Sequence, residues 1–232
     1  MTHSMSQDED KRAAAIAAVA EVRDGMLVGL GTGSTAAHAI AEIGRRCAEG
    51  LRIEATATSL ASDAQARGLG IAVRPFEEIA HVDLCIDGAD EIDPQLRAIK
   101  GAGGAMLREK VVAASAARMV VIADASKRVE RIGAAPVPIE VLPFARAYVA
   151  RALVELGGRP DLRGSGEAPC RTDQGNLVLD TRFRAIDDPV ALARALQAIP
   201  GMLGHGLFVD EVDALYLATG GRVERIERPA AR

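Results

Sequence analysis

The sequence predicts an α/β protein with two domains: a Rossmann-like domain built on a parallel sheet, and a smaller inserted α+β domain of the ferredoxin-like split-βαβ type. Three observations support this prediction. Short apolar strands alternate with helical segments from residue 26 to 123, the order changes after Pro136-Val137-Pro138, and the chain closes with a hairpin that can return to the first sheet. We expect residues 1–133 and 211–232 to form the larger domain and 134–210 the smaller one.

In the first part of the chain, each predicted strand is a short apolar run and each predicted helix has apolar residues at helical spacing. Gly50 and Gly68 follow two of these helices, as expected at helix C-termini. The predicted strands lie at 26–30, 53–58, 71–74, 82–86 and 120–123, and the helices at 34–48, 62–67 and 104–117.

In the second part, residues 173–176 form a turn between two short runs and predict a hairpin. Pro189 is expected in the first turn of a helix, where its missing N–H costs nothing. The predicted elements are a helix at 145–156, hairpin strands at 170–172 and 177–180, a helix at 189–198, a final strand at 206–210, and the closing hairpin at 214–218 and 222–226.

Composition excludes several classes of protein. The 232 residues are 49% hydrophobic and 26% charged, as in folded globular domains, and no apolar run approaches the ~18 residues needed to cross a bilayer. A formal charge of -4 and the absence of Trp argue against a nucleic-acid partner. The three cysteines form no C-x-x-C pair, and the polar first ten residues do not resemble a signal peptide. We expect a cytoplasmic protein with a small-molecule substrate and neither a nucleic-acid nor a membrane partner.

The glycine loop, residues 29–35 (GLGTGST), lies between a predicted strand and a predicted helix. Its glycines let the backbone approach an anion, and the free N–H groups and hydroxyls at the helix start are donors. No Gly-Lys-[Ser/Thr] follows, and the next strand ends in Thr56-Ala57-Thr58 without a carboxylate for a ribose, so neither a Walker loop nor a dinucleotide fingerprint fits. A monophosphate is the better ligand; the alternative is a turn that merely packs strand on helix.

The acidic turn, residues 87–93 (DGADEID), follows the next apolar strand. Open α/β sheets bind ligands at this edge. Asp87 and Asp90 flank a Gly-Ala turn, and their mutual repulsion would raise one pKa and suit acid–base chemistry. A metal site that includes Asp93 and a solvated acidic loop are the alternatives, although the spacing matches no EF-hand.

The lysine loop, residues 100–104 (KGAGG), opens the next helix and supplies more backbone donors. In that helix, the neighbours of Glu109 three and four positions away are all apolar. Burial would raise the pKa of this carboxyl toward a value useful for proton abstraction. The alternative is an ion pair with a neighbouring cation.

Lysine is scarce in this chain. Of 28 basic residues, only Lys11, Lys100, Lys110 and Lys127 are lysines, so each is a candidate for a role that arginine cannot fill. Lys127 follows a strand and is a candidate to neutralise a phosphate in the glycine loop; the alternative is a solvated lysine with no role in binding. Together, a phosphate loop, paired aspartates, a buried glutamate and lysines fit proton transfer on a small phosphorylated carbonyl compound.

Several segments resemble the type A ribose-5-phosphate isomerase family, in the family's order. They include GLGTGSTAAHAI, DLCIDGADEID, IKGAGGAMLREKVVA, VVIADASK and PVPIEVLPFA. The resemblance implies interconversion of D-ribose 5-phosphate and D-ribulose 5-phosphate, no metal or organic cofactor, and a homodimer or larger assembly. It implies catalytic roles for Glu109 as general base and for Asp87, Asp90 and Lys100. The implied substrate-binding residues are Thr32, Gly33, Ser34, Thr35, Asp87, Gly88, Ala89, Asp90, Lys100, Gly101, Ala102, Gly103, Lys127 and Lys11.

Two positions depart from the family's usual pattern. Ala102 interrupts the glycines of the lysine loop, so the loop must avoid positive φ there. Leu107 stands where a small polar residue is common. Within enzymes, sugar-phosphate deamination or coenzyme A transfer on a related fold is an alternative reading. From another class, the chain is alternatively a sugar-phosphate-binding regulatory or sensor domain without catalysis.

Overall fold

The computed structural model describes residues 6–165 and 168–228, and no helix in this part is long and apolar enough to cross a membrane. The helices are α1 Gln7–Val19, α2 Ser34–Ala48, α3 Leu60–Gly68, α4 Met106–Ser115, α5 Arg146–Glu155 and α6 Pro189–Gln197. The strands are β1 Leu27–Leu30, β2 Glu54–Ala57, β3 Ala72–Val73, β4 Leu84–Gly88, β5 Glu91–Ile92, β6 Ala98–Ile99, β7 Met119–Asp124, β8 Val137–Val141, β9 Gly158–Leu162, β10 Leu177–Phe183, β11 Met202–His205, β12 Leu207–Phe208, β13 Ala214–Thr219 and β14 Arg222–Glu227.

A seven-stranded sheet organises the larger part of the fold, in the order β14-β13-β7-β4-β1-β2-β3. All its strand pairs are parallel except β13 with β14. The predicted Rossmann-like parallel sheet is confirmed, and the closing hairpin joins it as expected. Because β1 pairs with both β2 and β4, the turns after these three strands meet at one edge of the sheet.

Helix α1 explains how the N-terminal segment reaches that edge. Three of its five buried residues are alanines, Ala14, Ala15 and Ala18, and these small side chains let the helix lie close to α2 and β7. Ser6 and Glu9 form a capping box at its start. The buried Asp10 accepts hydrogen bonds from the backbone N–H groups in the β13–β14 turn, so α1 is tied to the closing hairpin.

A four-stranded antiparallel sheet, β11-β8-β10-β9, forms the smaller unit together with α5 and α6. This β-α-β-β-α-β arrangement matches the predicted split-βαβ type. The domain limits at residues 134 and 210 stay a prediction.

Two strand predictions in this unit are wrong. Strand β10 pairs with β8 and β9 and not with a strand at residues 170–172, of which Arg171 makes only one bridge, to Leu177. Strand β9 lies at the sheet edge and contains Arg159, Pro160 and Asp161, so it lacks the apolar alternation that indicates a strand.

The predicted final strand at 206–210 is also wrong. The sheet ends with β11, whereas β12 pairs with β6 in a separate three-stranded sheet, β12-β6-β5. The chain changes sheets at Gly206, where a Cβ atom would lie 2.1 Å from the carbonyl oxygen of Lys100. Only glycine permits this close approach, which brings the smaller unit against the lysine loop.

Candidate active site

A cavity of about 180 Å³ lies at the sheet edge where β1 and β4 end. Its lining combines the glycine loop, the acidic turn, the lysine loop and residues from α1, α4 and the turn after β7. The lining residues are Lys11, Thr32, Gly33, Ser34, Thr35, Gly88, Ala89, Asp90, Lys100, Gly101, Ala102, Gly103, Glu109 and Lys127. Every one belongs to the set predicted from the sequence; Asp87, the remaining member, lies behind Lys100 with its side chain fully buried.

A larger cavity of about 480 Å³ lies between α3 and α4. Leu60, Phe76, Leu107 and Val111 contribute to its lining, and none of the buried titratable groups does. Leu107, one of the two departures, therefore faces this cavity and not the smaller one. The buried titratable side chains Lys100 and Glu109 line the smaller cavity instead.

The glycine loop is shaped by its neighbour on β4. A Cβ at Gly31 would lie 2.1 Å from Oδ1 of Asp87, so this position must be glycine. The Thr32 backbone N–H donates to the same Oδ1 at 3.0 Å. Below the loop, Thr58 Oγ1 lies 2.8 Å from Thr32 Oγ1, and Ser62 Oγ donates to the Gly31 carbonyl at 2.6 Å. Sequence analysis missed these supporting hydroxyls.

The first turn of α2, with Gly33, Ser34 and Thr35, has the features of an anion-binding site, and we call it the anion cradle. Gly33 precedes the helix with φ +103°, and no side chain caps it. The first N–H groups of a helix have no partner within the helix and carry partial positive charge, which favours an anion. Lys11 Nζ donates to Ser34 Oγ at 3.2 Å, and Lys127 lies on the cavity wall just after β7.

Lys100 is the buried cation of the site. Its Nζ lies 2.9 Å from Asp87 Oδ2 and 3.2 Å from Glu109 Oε2, and it donates to the carbonyl of Gly88. Burial disfavours the ammonium, but the two carboxylates outweigh it and raise the pKa of Lys100 above its ordinary range. Lys100 therefore carries its proton at neutral pH.

Glu109 is buried on the face of α4 that meets Lys100, with only 3% of its side chain exposed. Burial, followed by the negative charge of Asp87, raises its pKa to about 8, while Lys100 acts in the opposite direction. Both sequence interpretations of Glu109 therefore hold: the carboxyl is desolvated, and it pairs with a cation. The cation is Lys100 from the adjoining loop; Arg108 and Lys110, which flank Glu109 in the chain, do not pair with it.

The acidic turn divides its carboxylates between structure and site. Glu91 accepts the backbone N–H groups of Gly133 and Ala135, and Asp93 pairs with Arg97 at 2.7 Å. Within the described ranges, no group of three or more His, Cys, Asp or Glu side chains is placed to hold a metal ion. The cation between the carboxylates is the Lys100 ammonium. Asp90 alone of the four carboxylates lines the cavity.

The lysine loop takes positive φ at Gly101 (108°) and Gly104 (78°) and avoids it at Ala102, as expected. The Ala102 N–H donates to Asp90 Oδ2 at 3.0 Å. Two neighbours of the loop had no assigned role in the sequence analysis. Arg163 donates to loop carbonyls, and Phe208 presents its ring 5.4 Å from Lys100 Nζ and 3.9 Å from Lys110 Nζ.

The family model described as "Ribose 5-phosphate isomerase A (phosphoriboisomerase A)" matches residues 54–221. The chain belongs to this family. It is 51% identical over 215 residues to ribose-5-phosphate isomerase A of Sphingopyxis alaskensis, covering 93% of this chain and 94% of that one. It is 48% identical to the Roseiflexus sp. enzyme of the same name, covering 96% and 97%.

Solved structures of the family have the same fold. Ribose 5-phosphate isomerase A from Neisseria gonorrhoeae superposes with a TM-score of 0.92 at 38% identity, over 98% of this chain and all of that one. A D-ribose-5-phosphate isomerase in complex with phospho-erythronic acid gives 0.92 at 34% identity, over 97% and 100%. The family resemblance and the fold class predicted from the sequence are both confirmed.

Proposed function

We propose that this protein interconverts D-ribose 5-phosphate and D-ribulose 5-phosphate through a cis-enediolate, with Glu109 as the general base, in the non-oxidative pentose phosphate pathway. One observation carries the mechanism: a buried carboxyl of raised pKa faces a buried ammonium at one end of a cavity whose other end is an anion cradle.

The cradle is assigned to the phosphate. The backbone N–H groups of the first turn of α2 and the hydroxyls of Ser34 and Thr35 donate to its oxygens, and Lys11 and Lys127 supply the countercharge. A phosphate held at the cradle orients the sugar chain toward Lys100 and Glu109. Fixing the substrate this way turns proton transfer into a step within one complex.

Glu109 takes the proton from C2 of the open aldose. The electrons of the broken C–H bond form the C1=C2 double bond, and the carbonyl O1 becomes an oxyanion. Lys100 and the backbone donors of the lysine loop stabilise this charge, and a proton passes from O2 to O1. The enediolate then collapses to the C2 ketone as Glu109 returns its proton to C1. The carboxyl with pKa about 8 is suited to both directions of transfer.

Ring opening is assigned to Asp90, because it lines the cavity whereas Asp87 does not. Asp90 accepts the proton of the anomeric hydroxyl as the ring C1–O bond breaks, and it then gives this proton to the ring oxygen, which becomes the free hydroxyl of the open aldose. Asp87 acts through its neighbours: it holds the Lys100 ammonium and the Thr32 N–H. The pair Lys100–Glu109 supplies both charge stabilisation and proton transfer, so we propose that no metal or organic cofactor takes part.

A regulatory domain that only binds sugar phosphates is less well supported. Such a protein needs the cradle but has no use for a buried carboxyl of raised pKa beside a buried cation. That arrangement costs folding free energy, and its retention favours catalysis.

We also propose that the protein is a cytoplasmic homodimer. Phe144 is fully exposed at the start of α5, and Leu142 and Tyr148 beside it are 40% and 48% exposed. An exposed apolar cluster of this kind is typical of a surface that another chain covers. All three cysteines are free thiols, as is usual in a reducing compartment.

The test is isomerisation of ribose 5-phosphate by the purified protein after EDTA treatment, with Glu109→Gln and the exposed Glu155→Gln alongside. We expect turnover to survive EDTA and Glu155→Gln, and to fall about 10²–10⁴-fold in Glu109→Gln. Loss of activity with EDTA would support the metal alternative. Binding of ribose 5-phosphate without any turnover would support the sensor.

A further inference from the structure

One side chain of the smaller unit, Arg163, forms hydrogen bonds to the lysine loop. Arg163 follows β9, and its Nη1 donates to the carbonyl oxygens of Gly101 and Ala102, at 3.0 Å each. Its Nε and Nη2 donate to Asp180 on β10, at 2.8 and 2.5 Å. Three of these four hydrogen bonds are part-buried, and the one to the Ala102 carbonyl is exposed. The guanidinium thus joins the smaller antiparallel sheet to the loop that carries Lys100.

These hydrogen bonds set the direction of two backbone N–H groups, those of Ala102 and Gly103. In a trans peptide the C=O and N–H groups point in opposite directions. Because Arg163 holds the Gly101 carbonyl, the N–H of the same peptide, that of Ala102, points away from it and donates to Asp90. Because Arg163 also holds the Ala102 carbonyl, the Gly103 N–H points away from it too. Gly103 lines the cavity, and its N–H has no hydrogen-bond partner among residues 6–165 and 168–228.

Of the two carbonyl groups that Arg163 contacts, the loop's own backbone holds only that of Gly101. Glycines at 101, 103 and 104 give the segment wide conformational freedom, and only one backbone bond, Gly104 N–H to the Gly101 carbonyl, lies within it. A planar guanidinium with a bidentate carboxylate anchor is a rigid clamp, which a lysine could not reproduce.

We propose that Arg163, fixed by Asp180, is a positioning residue for the isomerisation: it orients the Gly103 N–H as an oxyanion donor and holds Asp90 in place through Ala102. This inference rests on the proposed function. Arg163 lies outside the cavity lining and acts through the loop.

The experiment compares Arg163→Met, Arg163→Lys and Asp180→Asn with Arg159→Met. Arg159 is the matched control, because it is an exposed arginine on β9, the strand that Arg163 follows, and no hydrogen bond joins it to residues 100–104. For each variant, kcat and KM with ribose 5-phosphate, thermal stability, and the inhibition constants of phospho-erythronic acid and inorganic phosphate are measured. With its phosphate in the cradle, phospho-erythronic acid would bring its carboxylate to the position assigned to the enediolate oxygens, whereas inorganic phosphate tests the cradle alone.

We expect Arg163→Met to lower kcat about 10- to 100-fold, as sub-ångström misplacement of reacting groups does, with a smaller effect on KM. Affinity for phospho-erythronic acid should fall by a similar factor and that for inorganic phosphate by less than about 3-fold. Arg163→Lys should recover part of kcat, Asp180→Asn should be intermediate, and Arg159→Met should match the wild type.

Two results would overturn the inference. One is wild-type kcat and inhibitor affinity in Arg163→Met. The other is an equal loss of affinity for both inhibitors in step with lower thermal stability, which would make Arg163 merely structural. If Arg163→Met does not fold, Arg163→Lys and Asp180→Asn decide by the same ratio of inhibitor affinities. A wild type that fails to isomerise ribose 5-phosphate would refute the proposed function instead. The ratio of the affinities for phospho-erythronic acid and inorganic phosphate would still test whether Arg163 orients the lysine loop.

Discussion

Lys100 and Glu109 form a buried ion pair, with 3.2 Å between Nζ and Oε2 and only 3% of each side chain exposed. Lys100 is shared between two carboxylates, because its Nζ also lies 2.9 Å from Asp87 Oδ2. One cation between two carboxylates leaves Glu109 only partly compensated. Its proton affinity is therefore high for a carboxyl, which is the property that a base needs to take a proton from carbon and give it back.

The first prediction concerns pH. A base works only when deprotonated, and burial raises the pKa of Glu109 to about 8. We therefore expect kcat/KM for ribose 5-phosphate to rise with pH and level off above about 8, since this ratio reports the free enzyme. A profile from pH 6 to 10 checks this. A flat profile across that range would contradict the assignment, and the residual activity of Glu109→Gln should lack the inflection.

The second prediction is that Glu109→Gln stabilises the fold. The folded state keeps the Glu109 proton up to about pH 8, whereas the unfolded chain loses it near 4.5. Between these values the folded state binds more protons, so the free energy of unfolding falls as pH rises. Glutamine removes this dependence. We expect the Tm of Glu109→Gln to exceed that of the wild type at pH 8, with the difference shrinking toward pH 5. Equal or lower Tm at pH 8 would argue that Lys100 stabilises the charged carboxylate fully.

The third prediction concerns Gly31. A methyl group there would overlap Asp87 Oδ1 at 2.1 Å and push the carboxylate off Lys100 and Thr32. We expect Gly31→Ala to lose most activity and to destabilise the protein by about 1–3 kcal/mol, as overpacking does. Gly68→Ala is the control, because its Cβ would meet no atom within 4 Å and its φ is not positive. That variant should be neutral or slightly more stable. Similar behaviour of the two variants would be inconsistent with this packing.

The fourth prediction tests the cradle. Lys127→Met removes a cation from the cavity wall, and a hydrogen bond to a charged group contributes about 1.5–3 kcal/mol. We expect KM for ribose 5-phosphate to rise about 10- to 100-fold with a smaller change in kcat. Arg128→Met, at the next position and 3.8 Å from Glu224, should leave both unchanged. A Lys127→Met variant with normal KM but low kcat would contradict the assignment of Lys127 to the phosphate and would instead assign it to the carbons that react.

Local signals account for the parts of the site that sequence analysis found. The glycine loop and the acidic turn each follow an apolar strand, and parallel strands place such turns at one edge. The prediction that Ala102 avoids positive φ also rests on local sterics alone. Glu109 stood out because its helical neighbours are apolar, a property visible over the nine residues from 105 to 113.

The missed parts depend on distant segments. Arg163 reaches its loop partners across about 60 positions, and nothing in its own surroundings marks it. Strand β9 carries a proline and charged residues because it lies at an edge, where they are tolerated. The end of the smaller sheet was misplaced because Gly206 reads as an ordinary glycine until the Lys100 carbonyl is known to lie against it.

The order of strands in the large sheet has a consequence for how the protein is made. Strand β7 ends at Asp124, but its outer neighbour β13 begins only at Ala214, after the whole smaller unit. At about 5–20 residues per second of synthesis, the edge of β7 stays unpaired for roughly 5–20 s on each nascent chain. An open apolar edge can pair with another chain. A product that stops short of the closing hairpin should therefore aggregate, because β13 is the strand that covers the edge of β7.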